Sequence, residues 1–328
     1  MDKPKKFSGW KDELVVLLKA NNQFRIDGRK ASDKTQRERS TYLFQFMNEL
    51  WAMGYKVMPK GIGLRHVKVV CKKYEAEGIA ASTIQTRISF LRALCKWIGK
   101  PNMIGDIKGF FDNPDMIKRT YQATYDKSWD VPDIDKYRII HQIMKEYPHI
   151  GHQLLLQDAF GLRRKEAIML RPYLDYREGM LHIRHGAKGG RVRSIPVTNE
   201  YQTEVMQRVL EFVGKDGKHM GDPNYDLKGN LSRYSRVLHQ FGIKKTGQGA
   251  LGITGHGLRA GFAMREMEDN GLTPSLRGGE PGQLSPEHEK RVREEVSQKL
   301  GHNRPQITTA YSGPVTKAGN SRLAKAKK

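Results

Sequence analysis

The chain is poor in cysteine. Its 328 residues include two, Cys71 and Cys95, both inside helical patterns, which excludes a disulfide framework and points to a reducing compartment. Long apolar runs are also missing. None approaches the roughly 20 residues needed to cross a bilayer, so a membrane-spanning protein is excluded. The N-terminal text MDKPKKFSGWKDELVV has no apolar stretch before a small-residue cleavage site, which argues against secretion. Internal repeats are absent, and only one stretch reads convincingly as strand. Acidic residues are scarce beside basic ones, 35 against 58, a formal net charge of +23.

Apolar residues make up 38% and charged residues 28%, which fits a globular protein and argues against global disorder. The length suits two domains of ordinary size. A charge excess this large points to a polyanionic partner. It is not one basic tail: residues 1–128 hold 25 basic and 13 acidic residues, and residues 129–328 hold 33 and 22. A solvated surface tuned for solubility is the plain alternative, but two halves of similar basicity fit a protein that grips nucleic acid along its length.

The first 122 residues read as a small helical domain. Apolar residues recur at helical spacing in Trp10, Leu14, Val15, Leu17 and Leu18. A second pattern, Tyr42, Leu43, Phe46, Met47, Leu50 and Trp51, takes Ser40 as its N-cap and Gly54 as its stop. Two more helices follow, from Leu64 to Tyr74 and from Ser82 to Ile98, with cations on their opposite faces. Residues 123–133 lack a clear period and read as a linker. The second domain, 134–328, opens with helical text at 133–147 and 150–160. Then MLHIRHGAKGGRVRSIPV alternates apolar residues about a turn with Gly186, Gly189 and Gly190, the pattern of a β-hairpin. Helices resume near 199–213, 229–240, 257–269 and 287–300. The stretch 272–286, rich in glycine and proline, reads as a surface insertion, and the basic C-terminus as a mobile tail. The fold class expected is mainly α with a small β-sheet.

Five segments of the second half carry residue types suited to stabilising and attacking a phosphodiester. Arg163 lies at a helix junction in FGLRRKEAIML. Lys188 sits at the hairpin tip in GAKGGRVR. His256 and Arg259 share one helical turn in HGLRAGFA. His302 follows a helix in KLGHNRP, and Tyr311 lies in TTAYSG. Singly, each has a plain reading: a surface cation, a solvated lysine, a helix-end hydrogen bond, a C-terminal cap, a packing aromatic.

Their order and spacing change that. The set GLRRKE at 161–166, Lys188 in a glycine-rich hairpin, HGLR at 256–259, LGH at 300–302 and Tyr311 nine residues after His302 resembles the motif set of the tyrosine recombinase (phage integrase) family. The resemblance covers residues from about 130 to 315. It implies a helical N-terminal core-DNA-binding domain, a mixed α+β catalytic domain, and no metal or cofactor. It also implies roles. Tyr311 would be the nucleophile, and a phenol with pKa near 10 needs help to lose its proton. Arg163 and Arg259 would clamp the non-bridging phosphate oxygens, because planar guanidiniums match phosphate geometry and stay charged. His302 would add a hydrogen bond to the same phosphate. Lys188 would act as general acid for the leaving 5′-oxygen, and His256 as proton acceptor near the tyrosine. Glu166 would support the arginine site.

The partners implied are double-stranded DNA bearing recombination sites, a homotetramer on two such sites, and accessory DNA-bending proteins, with a cytoplasmic, DNA-associated location. Two departures stand out. Ala260 replaces the histidine that often follows the H-x-L-R arginine, and the 272–286 stretch is longer than usual. The chain starts almost at once with the core-binding helices, which favours an Xer-like or Cre-like architecture without a separate arm-site domain. The rival readings are a DNA-relaxing enzyme like the type IB topoisomerases and a DNA-binding protein with vestigial catalytic motifs.

Overall fold

The computed structural model describes residues 9–215, 218–302 and 304–313, with the side chain of Lys188 outside that description. The basic tail expected beyond residue 313 also lies outside the described residues. Two compact units divide the chain after Thr120.

The first unit is helical. Helix α1 spans Trp10–Asn21, α2 Asp33–Ala52, α3 Leu64–Ala76 and α4 Ala81–Trp97. Their apolar stripes meet in one core of Leu14, Leu43, Phe46, Val67, Ile84 and Leu91, among others, each essentially inaccessible to solvent. The expected cap at Ser40 is wrong. Helix α2 starts eight residues earlier, where the Ser32 hydroxyl accepts a hydrogen bond from the Thr35 amide at 3.2 Å. The first two turns, DKTQRERS, are polar, so an apolar period is silent there. They are held instead by buried Arg39, which donates to the Asn22 side chain at 2.7 Å and the Phe24 carbonyl at 2.9 Å.

In the second unit, α5 (Lys136–Glu146) and α6 (Pro148–Phe160) lead into a one-and-a-half-turn helix, α7 (Arg164–Met169), and a single turn, α8 (Pro172–Asp175). Helix α6 is buried from Ile150 to Phe160, so it shows no amphipathic stripe and serves as the central rod of the unit. The hairpin forms as β2 (Met180–Ile183) and β3 (Arg193–Pro196), with Leu181 opposite Ile195. The sequence reading missed a third strand, β1 (Tyr176–Arg177), which pairs antiparallel with β2. Its two residues are too few to alternate, and the Glu178–Gly179 turn that joins it, with both φ positive, carries little signal. Helices α9 (Glu200–Val213), α10 (Leu227–Gln240), α11 (His256–Glu268) and α12 (Pro286–Lys299) follow, and the one-turn α13 (Thr309–Ser312) ends the described chain.

The segment read as a linker packs within this second unit. Trp129 is buried and donates its indole N–H to the Thr254 carbonyl at 2.8 Å. The 272–286 stretch is likewise seated rather than loose: Leu272 is buried in a cluster with Phe262, Val292, Leu300 and Tyr311. Among the described residues no helix is long and apolar enough to cross a membrane.

Candidate active site

The site begins where α6 ends. Gly161 caps that helix in the left-handed region at φ +59°, and a Cβ there would lie 2.4 Å from the ring of Phe262 on α11. A side chain is therefore excluded on two counts, conformation and contact. The sharp exit puts Arg163 at the N-terminus of α7 and turns the Gly161 carbonyl toward α11.

Glu166, one turn into α7, organises two arginines. Its carboxylate is fully buried and accepts from the Arg163 guanidinium at 2.6 Å and the Arg163 amide at 2.8 Å. From the other side, Arg193 on β3 donates two bonds to it, at 2.9 and 2.8 Å. Burial raises the pKa of Glu166, but the Arg193 hydrogen bonds and charge, with Arg163, hold it below the ordinary value. Arg193 also donates to the Lys299 carbonyl at 2.7 Å, tying the hairpin to the end of α12. Sequence reading missed Arg193. The available signal was alternation: in RVRSIPV the arginine falls in phase with inward-facing Ile195.

Arg259 is the hub. It is 1% exposed, and its guanidinium reaches the GLR, LGH and tyrosine motifs. One terminal nitrogen donates to the Gly161 carbonyl, the other to the Leu300 carbonyl. The second also lies 3.3 Å from His302 Nε2, and Nε donates to the Tyr311 hydroxyl at 3.2 Å. Because arginine can only donate, the His302 contact requires Nε2 to accept and Nδ1 to carry the proton. His302 stacks on Tyr311, with ring centroids 5.9 Å apart and planes 8° from parallel, and His256 approaches the same ring at 5.7 Å. Tyr311 itself is 6% exposed.

The two imidazoles stand among cations. Loss of hydration, followed by the charges of Arg259 and Arg163, pushes the His256 pKa down to about 4. The same causes, with Arg193 added, push His302 down to about 3. His256 is exposed to solvent, and its ring is held below the ordinary imidazole pKa by the cations beside it. Both rings are neutral at pH 7, and a neutral imidazole can accept a proton.

The hairpin is docked beside this cluster. Gly186 sits at φ +74°, and a Cβ would come within 2.7 Å of the Lys165 carbonyl on α7. The backbone at Lys188 forms a short 3-10 turn, Lys188–Gly190, at the hairpin tip; its side chain lies outside the described residues. Thus Arg163, Glu166, His256, Arg259, His302 and Tyr311 come together, and the hairpin that carries Lys188 is anchored on the same short helix. Ala260 is buried behind Tyr311 in the cluster that includes Leu272.

Two family models match the chain. One is described as Integrase and matches residues 123–264; the other is described as Phage integrase, N-terminal, and matches residues 23–104. His302 and Tyr311 fall beyond the matched residues, so their placement rests on the geometry above. No curated protein sequence matches the chain. Among solved structures, it is similar to the Tn1549 transposon integrase in complex with circular intermediate DNA, at 16% identity over 95% of this chain and 98% of that one, with a TM-score of 0.56. A lambda integrase dimer bound to a COC′ core site matches at 15% identity over 92% and 94% of the two chains, with a TM-score of 0.58. The XerH recombinase bound to palindromic difH substrate matches at 13% identity over 99% and 98%, with a TM-score of 0.54. At such identities these likenesses concern the fold.

Proposed function

The chain belongs to the tyrosine recombinase (phage integrase) family, and we propose that the Arg259 cluster is where it cuts and rejoins DNA at specific sites. The observation that carries this reading is Arg259 itself. One guanidinium joins the Gly161 carbonyl of the first motif, Leu300 and His302 of the fourth, and the Tyr311 hydroxyl.

In the reaction, the Tyr311 oxygen attacks phosphorus and the bond from phosphorus to the 5′-oxygen breaks. A 3′-phosphotyrosine forms, and the free strand leaves with a 5′-hydroxyl. Arg259 and Arg163 neutralise the non-bridging oxygens as charge builds in the pentavalent transition state. Arg163 is fixed for this by Glu166. Arg259 Nε, donating to the Tyr311 hydroxyl, holds the nucleophile beside the clamped phosphate. Neutral His256 takes the phenol proton, and Lys188 gives one to the departing 5′-oxygen. His302 shares the phosphate with Arg259. The phosphotyrosine keeps the energy of the broken bond, so attack by a 5′-hydroxyl from another duplex restores DNA without ATP, by way of a Holliday junction. The relatives' DNA complexes, a dimer among them, support duplex DNA as partner and self-association on it. We place four protomers on two sites, with accessory DNA-bending proteins assisting and the protein residing with its cell's DNA.

The test is a nicked duplex carrying a sequence selected by the protein from a randomised pool. On it the wild type should form a covalent adduct that survives denaturing electrophoresis. Tyr311→Phe should bind the same duplex with unchanged affinity and give no adduct. An adduct from the phenylalanine variant would overturn the nucleophile assignment. Relaxation of plasmids lacking the selected site, without recombinants, would favour a topoisomerase instead. Tight binding with no adduct from the wild type would mark a binding protein.

A further inference from the structure

The nucleophile sits on an element that cannot hold itself in place. Helix α13 has four residues and no side-chain cap, far below the length at which a helix persists alone. Its position is set from outside. The Ala123 amide donates to the Thr309 carbonyl at 2.9 Å. Arg293 on α12 donates to the Ser312 hydroxyl at 3.1 Å. The third support comes from the 272–286 insertion: the Ser275 hydroxyl donates to the Ser312 carbonyl at 3.1 Å. Contact there is close. A Cβ on Gly313, at φ +84°, would fall 2.5 Å from Ser275 Oγ and 2.9 Å from Leu276 Cγ.

The turn that makes these contacts, Ser275–Arg277, is locked from its far end. Arg277 donates to Glu268 at 2.7 Å, to Asp130 at 3.0 Å, to Asp126 at 3.3 Å and to the Ser128 hydroxyl at 3.4 Å. Asp130 is shared. It also receives Arg265 of α11 at 2.6 Å and Lys136 of α5 at 2.7 Å. One carboxylate therefore serves as a common reference for α11, which carries His256 and Arg259, and for the turn that abuts α13, which carries Tyr311. The insertion also closes on itself, since the Gln283 amide group bonds both the amide and the carbonyl of Thr273.

We propose that Arg277 is a positioning residue for the nucleophile, acting through the Ser275–Arg277 turn to hold Tyr311 in register with Arg259. The proposal rests on the recombinase reading only in taking Tyr311 as the attacking group. An error of about 1 Å in the placement of a reacting atom costs on the order of 100-fold in rate. Arg277→Met should therefore slow adduct formation about 10- to 100-fold at saturating nicked duplex, with its dissociation constant essentially unchanged. Arg277→Lys, which keeps a cation beside Asp130, should recover part of the rate. Independently of DNA, amide exchange in residues 309–313 should speed up in Arg277→Met while α5 and α6 exchange as in the wild type.

A folded Arg277→Met that forms adduct as fast as wild type would overturn the proposal, as would equal losses in rate and affinity. So would exchange at 309–313 that stays unchanged or speeds up only with the rest of the unit. If that variant does not fold, Ser275→Ala removes one hydrogen bond from the same strut. It should loosen 309–313 and slow the adduct in the same sense, and wild-type behaviour in both would overturn the proposal. A wild type that gives no adduct at all would defeat the recombinase reading, and the exchange comparison would still decide the strut.

Discussion

The buried charge of Glu166 and the cations around the two histidines determine how the site responds to mutation and to acid. The carboxylate of Glu166 is the counter-charge for Arg193, whose side chain is 6% exposed, and for Arg163. Glu166→Gln would leave Arg193 buried without a partner charge, and breaking such a pair from one side costs about 3–5 kcal/mol. Urea unfolding at pH 7 should show a loss of that size, with adduct formation impaired as Arg163 loses its anchor. The histidines supply a pH response. In the folded chain both pKa values lie below the unfolded value near 6.5, His302 at about 3. Between those limits the unfolded chain binds more protons, so stability is full above pH 6.5 and falls as the pH drops toward 4. His302→Gln should flatten the stability curve between pH 7 and pH 4.5. An oxyanion held by Arg163 and Arg259 would favour the protonated rings, so added sulfate should raise the melting temperature more at pH 5 than at pH 7. Equal shifts at the two pH values would argue against an anion seat beside the imidazoles.

At the scale of elements, glycines decide how closely the site's helices approach. The glycine of HGLR, Gly257, packs at the start of α11 against the 126–130 segment; a Cβ would lie 2.3 Å from the Lys127 carbonyl and 2.8 Å from Trp129. Gly257→Ala should push α11 away from that segment and cost about 1–3 kcal/mol, as overpacking does. It should also shift Arg259 and so lower the adduct yield. Gly109→Ala, where an added Cβ meets nothing within 4 Å, should leave the melting temperature unchanged and serves as the control. The same packing explains what could be read from sequence. Helices with one apolar stripe, such as α3 and α4, were legible, and so was the hairpin, because burial imposes a period on residue type. The motif residues were legible through order and spacing. Features fixed by polar contacts distant in sequence were not. The first turns of α2 depend on Arg39, the seat of Glu166 depends on Arg193, and the 272–286 insertion is held by Arg277 through carboxylates about 150 residues upstream. Of these, Arg193 alone leaves a local trace, its alternation in phase with Ile195.

For the molecule as a whole, the charge of +23 exceeds what one scissile phosphate requires. The site accounts for Arg163, Arg259 and the supporting Arg193. Many remaining cations lie in the first unit, where a groove beside α2 and α4 is lined by Lys34, Arg37, Thr41, Gln45, Thr86 and Arg87. Arg87 stacks over Tyr42 and Tyr74, 5.5 and 4.7 Å from their ring centroids, which fixes its position, while Arg37 is exposed. If this face meets the phosphate backbone, affinity is set largely by counterion release. For roughly 6–10 phosphate contacts, binding should weaken by about 10³–10⁵ between 50 and 200 mM salt. Arg37→Gln should weaken binding across unrelated duplex sequences to a similar degree and make the salt slope shallower by about one. The measurement is a titration of labelled duplex over that salt range with wild type and variant. A slope unchanged by Arg37→Gln would remove this groove from the DNA-binding surface and shift the grip to other basic faces of the chain.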